Sequence, residues 1–149
     1  MGELTEKVDI TRLAVYVNKI GELASVTKPM APIYLQDMIM GQDVAAHLLA
    51  KAIKADSQAK AKLEYAESIA YLERAADYLA SKNIKDSSEA KKQYVNVDPD
   101  VIAAKDHKAQ TEALVVFIKS RLSELRQAHD SLKKIIYDRN IDTPWEGMS

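Results

Sequence analysis

The stretch that decides the fold is MIMGQDVAAHLLAKAIKADSQA, residues 38–59. Apolar or small residues recur in it at alternating steps of three and four, the spacing that places side chains on one side of an α-helix. They are Met38, Gly41, Ala45, Leu48, Ala52, Ala55 and Ala59. We therefore expect a helix whose buried face is made of small side chains, which lets a second helix backbone come close.

This central helix is predicted to be long. Between residues 32 and 82 the only helix-breaking residue is Gly41, and the small-residue face continues to Ala70. Because glycine costs about 1 kcal/mol relative to alanine inside a helix, we interpret Gly41 as a close-packing position, with a kink as the alternative. Seven-residue spacing of this kind is typical of coiled-coil packing.

An N-terminal helix is predicted over residues 1–28. Its apolar face comprises Leu13, Val17, Ile20 and Ala24, which follow helical spacing. Pro29 and Pro32 separate it from the central helix, because each proline disfavours helix in the residue before it.

A polar connector over residues 83–97 leads to a second long helix, predicted over 98–138. Asp98 is suited to cap it, Pro99 to its first position, and Asp100 to the positive end of the helix dipole. Its apolar face comprises Val115, Ile118, Leu122, Leu125, His129, Leu132 and Ile136.

The chain is thus predicted to be one all-α domain over residues 1–149. We expect a long antiparallel helical hairpin with an additional N-terminal helix, a tail over 139–149 that contains Trp145, and assembly into an oligomer.

The composition of the chain limits the classes of function that it can have. The formal net charge is −1 and there is no cysteine, so nucleic-acid binding would need a local basic patch, and thiolate chemistry is excluded. No apolar run approaches the roughly 20 residues that span a bilayer, and no signal peptide precedes the first helix. We expect no membrane association and a cytoplasmic location.

Histidines are common in catalytic and metal-binding sites, but in this sequence they are scattered. His47, His107 and His129 do not complete the Glu-x-x-His spacing from which helical bundles build metal sites. Nucleophile motifs and glycine-rich phosphate loops are also missing. We therefore expect no metal, no cofactor and no enzymatic activity.

One side of the central helix is basic. At about 100° per residue, Lys51, Lys54, Gln58, Lys62 and Tyr65 fall on that side. Lysines can follow a phosphate backbone while an aromatic ring stacks on bases, as in single-strand binding. A solvated lysine face is the alternative. Lys60 points nearly the opposite way, between Asp56 and Glu64.

A second set of residues, Tyr71, Arg74 and Tyr78, could contact a partner or another copy of the chain. The alternative is that these are half-buried tyrosines at the edge of the core.

Several segments resemble the UvsY-type recombination mediator proteins of large tailed phages. Lys60-Ala61-Lys62-Leu63-Glu64-Tyr65 is similar to the family's Lys-Ala-Arg-Leu-Asp-Tyr, although Lys62 stands where the family has arginine. In the same order follow Ser88-Glu89-Ala90-Lys91, Asp100-Val101 and Ile118-Lys119-Ser120-Arg121, each similar to a family segment. The similarity covers roughly residues 45–136.

The resemblance implies that Lys60 and Lys62 bind single-stranded DNA. It further implies a non-enzymatic, ring-shaped homo-oligomer that loads a recombinase onto DNA coated by single-strand-binding protein, in recombination and repair. Many weak lysine rows could then share one strand. The alternative is a structural or adaptor coiled-coil protein with no nucleic-acid role.

Overall fold

A computed structural model describes residues 8–137, which are all-α with no β-strand. The elements in order are α1 (Thr11–Ile20), a 3₁₀ turn (Leu23–Ser25), α2 (Ala31–Ile69), a π-helical turn (Ala70–Arg74), α3 (Ala75–Ser81), α4 (Ser88–Val95) and α5 (Pro99–Tyr137). The chain is continuously helical from α2 to the end of α3, and this long helix packs against α1 and α5. The predicted hairpin with an added N-terminal helix is confirmed.

The described chain consists of two compact units. One comprises residues 52–115, and the other residues 8–51 together with 116–137. Both α2 and α5 contribute residues to each unit, and both carry their predicted apolar faces inward. Ala52 and Ala59 are almost fully buried in the first unit, as are Met38, Ala45 and Leu125 in the second.

Gly41 is a close-packing position, as expected from the sequence. A Cβ placed there would lie 2.9 Å from the Cβ of Tyr16 in α1 and 3.0 Å from the Cδ2 of Leu125 in α5. Because the Cβ of Tyr16 is bonded directly to the backbone of α1, it cannot move away from an added side chain unless α1 itself shifts. Three helices therefore meet at the one position of α2 where no side chain intervenes, and α2 continues through it without a break.

The N-terminal helix is shorter than the predicted 1–28, because α1 ends at Ile20. The residues after Ile20 form a tighter turn, in which the Gly21 N–H donates to the carbonyl of Asn18, three residues earlier, at 3.2 Å. The carboxylate of Glu22 then accepts from the hydroxyl of Tyr34 in α2 at 2.9 Å, which ties this turn to the next helix. Tyr16, which was not among the predicted core residues, is buried.

The polar connector contains a short helix. The Ser87 hydroxyl caps α4 by accepting from the Ala90 N–H at 3.1 Å, and Val95 is buried against Ala70 and Val101. The predicted tail, including Trp145, lies outside the described residues.

Candidate nucleic-acid interface

The basic side of α2 is formed in the unit of residues 52–115 by Lys54, Gln58 and Lys62, followed by Tyr65. Steps of four residues advance about 6 Å along a helix, so the three polar side chains are evenly spaced. All three are exposed, and Tyr65 is 70% exposed. Lys51 is half-buried and belongs to the other unit.

Lys60 is also exposed but lies on the opposite side of α2. Residues two positions apart on an α-helix point about 200° apart around its axis. Lys60 and Lys62 therefore cannot both face one DNA strand that follows a single side of α2. The resemblance pairs these two lysines, whereas the helix separates them.

The side of α2 that carries Lys60 forms an ion-pair network with α5. The carboxylate of Asp56 accepts from Lys108 Nζ and from Thr111 Oγ1, both at 2.9 Å. The hydrogen bond from Lys108 is the main reason that the pKa of Asp56 is lowered, with smaller contributions from Thr111 and from the charge of Lys60. Lys60 therefore adds charge to a network that stabilises the fold.

The predicted partner residues Tyr71 and Tyr78 make contacts within their own unit. The hydroxyl of Tyr71 is 3.3 Å from that of Ser88, and the ammonium of Lys91 lies 5.7 Å from its ring centroid. The ring of Tyr78 packs on that of Tyr94, with centroids 4.7 Å apart. Tyr78 still exposes 38% of its surface.

Arg74, the third predicted partner residue, forms a forked ion pair with Asp98. Its Nε donates to Oδ2 at 2.8 Å and its Nη2 to Oδ1 at 2.9 Å. Asp98 is fully buried and also accepts from the Tyr94 hydroxyl at 2.7 Å. The sequence predicted Asp98 as a helix cap, and its Oδ1 does accept from the N–H groups of Asp100 and Val101 at 3.0 and 3.2 Å.

This network shifts three pKa values. The hydrogen bonds from Arg74 hold the pKa of Asp98 far below its ordinary range, helped by Tyr94 and the Val101 N–H, and they outweigh the effect of burial. The same carboxylate raises the pKa of Arg74 and of Tyr94. Asp98 is thus a buried anion that joins the π-helical turn, α4 and α5.

The histidines do not form a site. His129 Nδ1 is 3.5 Å from the neighbouring Asp130, His107 is half-buried, and His47 lines an open cleft with Asp43 and Arg12. Within residues 8–137, no three side chains of metal-ligating type come together.

Comparisons with known proteins do not identify a family. No family model, curated protein or solved structure matches the chain. In the part of the chain that the structure describes, no helix combines the length and apolarity needed to cross a lipid bilayer.

Proposed function

We propose that the protein is a recombination mediator that binds single-stranded DNA without catalysing a reaction. It would help to load a recombinase in place of single-strand-binding protein, in the cytoplasm of the cell or of the phage host. The observation that carries this proposal is the evenly spaced row of Lys54, Gln58 and Lys62 leading to the exposed ring of Tyr65. The resemblance of residues 60–65 to the mediator family supports it.

The chemistry of the row favours a single strand. Lysines on a helix attract phosphates without reading bases, and a tyrosine ring can stack only on bases that are unpaired and accessible. Two lysines in one protomer bind weakly, so the proposal includes a homo-oligomer in which several rows share one strand.

Fluorescence anisotropy of a labelled oligothymidylate tests DNA binding. We expect binding that weakens with salt, with a slope of log affinity against log salt that falls by about 0.7 for each phosphate contact removed. The double variant Lys54→Ala, Lys62→Ala loses most of the binding, and Tyr65→Ala loses about tenfold, the lower range of a base-stacking contact.

Lys60→Ala is the matched control, because it removes the same charge from the same helix on the opposite side. We expect it to retain near-normal affinity, while circular dichroism shows unchanged helicity in all variants. Equal losses in Lys60→Ala and Lys62→Ala, or binding that does not respond to salt, would contradict the assignment to this side of α2.

A structural or adaptor role is the second candidate, and exposed apolar side chains favour it. Leu72 is 73% exposed beside a cleft of about 570 Å³ lined by Tyr71, Lys92 and Val95, and in the other unit Ile33 and Val116 are 66% and 63% exposed. Apolar surface of this kind is typical of protein contacts. This role predicts the same oligomeric mass with and without an oligonucleotide, together with no retention of the oligonucleotide at low salt.

A further inference from the structure

The basic side of α2 leads to an open cleft in the same unit of residues 52–115. Ser68 lies one turn beyond Tyr65, at the spacing that makes two side chains neighbours on a helix, and it lines a cleft of about 570 Å³. This is the cleft beside the exposed side chain of Leu72. A single strand that follows the basic side and stacks one base on Tyr65 therefore brings a following base to the cleft.

The wall of this cleft is partly apolar and partly polar. Tyr71, Leu72 and Val95 supply apolar surface, and Leu72 leaves 73% of its own exposed. Benzene fits an apolar cavity of about 150 Å³, so the cleft has room for a larger base with two rings. Because a nucleobase has an apolar face and a polar edge, a wall of this mixed character suits both parts of it.

Glu67 is the polar group in the wall that can distinguish one base from another. It is half-buried and forms no hydrogen bond or ion pair with the described residues. A carboxylate has two acceptor oxygens and no donor, so two neighbouring N–H groups satisfy it best. Among the four DNA bases, only guanine has two neighbouring nitrogen donors on its Watson–Crick edge, the N1–H and the N2 amino group.

Two lysines favour a nucleotide in this cleft over an arginine side chain of a protein partner. Lys92 is exposed and lines the cleft, and Lys105 Nζ donates at 3.3 Å to Oδ1 of Asn96, which also lines it. An arginine would offer two N–H donors to Glu67 as well, but it would bring a third positive charge to the two lysines. Guanine is neutral and its phosphate is an anion, so a guanine nucleotide complements both the carboxylate and the lysines.

We propose that the cleft binds one unpaired guanine base of single-stranded DNA, with the carboxylate of Glu67 accepting from N1–H and from the N2 amino group. This inference rests on the proposed binding of DNA by the basic side of α2 and adds a base preference to it. Lysines on a helix contact phosphates of any sequence, whereas the cleft holds the protein preferentially at guanines.

Two oligonucleotides that differ by one amino group test the base contact. Each is an oligothymidylate with one central base replaced, by guanine in the first and by hypoxanthine in the second. Hypoxanthine keeps the two rings and the N1–H but lacks the N2 amino group. Fluorescence anisotropy with the full-length protein should show that the guanine oligonucleotide binds about tenfold more tightly, the effect of one hydrogen bond to a charged group.

Glu67→Gln separates base recognition from the phosphate contacts. A glutamine side chain has one acceptor oxygen in place of two, so the preference for guanine over hypoxanthine should disappear while the unsubstituted oligothymidylate still binds. Glu73→Gln is the matched control, because Glu73 is an exposed acid that does not line the cleft. It removes the same charge and should keep the tenfold preference.

The outcomes separate this inference from the proposed function. Equal affinities for the two substituted oligonucleotides, or a preference that persists in Glu67→Gln, would overturn the guanine site and leave DNA binding by the basic side intact. Loss of the preference on adding N-acetylargininamide, but not on adding deoxyguanosine monophosphate, would assign the cleft to an arginine of a protein partner. If the oligothymidylate does not bind even at low salt, the proposed function fails and the guanine site fails with it. If Glu67→Gln loses helicity, the comparison of the two oligonucleotides on the wild type still decides.

Discussion

Replacing Asp98 with alanine should cause a large loss of stability. The carboxylate accepts two hydrogen bonds from Arg74, one from Tyr94, and one each from the N–H groups of Asp100 and Val101. Loss of the helix cap costs about 1 kcal/mol. Loss of the charge-assisted hydrogen bonds from Arg74 costs about 2 kcal/mol. The Tyr94 hydroxyl loses its acceptor, which costs about 1 kcal/mol more.

The expected total is about 4 kcal/mol. The larger penalty for leaving a buried charge without its counter-ion does not apply to Arg74, because its side chain is 35% exposed and its guanidinium can be hydrated. For a chain of this size, such a loss lowers the melting temperature by roughly 10 °C. Urea unfolding followed by circular dichroism at several temperatures measures both quantities.

Asp100→Ala is the matched control for this experiment. Asp100 is the neighbouring acid, its Oδ2 lies 3.5 Å from Arg74 Nη2, and its side chain is 75% exposed. An exposed ion pair of this kind contributes less than about 1 kcal/mol. If Asp98→Ala loses no more stability than Asp100→Ala, then the buried network does not hold the helices together and the reasoning fails.

Three further outcomes are expected. The folded pKa of Asp98 lies below its unfolded value of 3.8, so its contribution is fully present well above that pH and is lost as the pH falls toward the folded pKa. The stability difference between wild type and Asp98→Asn should therefore shrink from about pH 5 downward, and a constant difference would contradict this. Gly41→Val should cost about 2 kcal/mol in urea unfolding by overpacking against Tyr16, whereas a gain would show that α1 moves freely. Asp56→Ala should cost about 1 kcal/mol by removing the carboxylate that accepts from Thr111 and Lys108, and no change in the unfolding midpoint would count against that pairing.

The helical pairing was predictable because its signal is periodic. Small residues recur on one face of α2, and the structure buries Ala45, Ala52 and Ala59 there. The cap at Asp98 was predictable for a similar reason, since it depends on adjacent residues. Tyr16 was missed because the expected apolar face of α1 counted only aliphatic residues. Its contact with Gly41 also depends on how three helices pack together, which no local pattern in the sequence shows.

The candidate site was predictable only in part. Helix geometry alone placed Lys54, Gln58 and Lys62 together and Lys60 apart from them. The pairing of Arg74 with Asp98 joins residues that are far apart in sequence, and no local pattern indicates it.

The π-helical turn at Ala70–Arg74 also has a consequence for how sequences of this kind diverge. Buried positions step from Ala70 to Ala75 and then to Leu79, so five residues occupy the turn where an α-helix would use four. Loss of one codon within the turn would restore regular winding and leave Leu79 facing inward. The same deletion elsewhere in α2 would rotate every later side chain by about 100°. Alignment gaps of one residue are therefore expected to accumulate at this turn and to be purged from the rest of the helix.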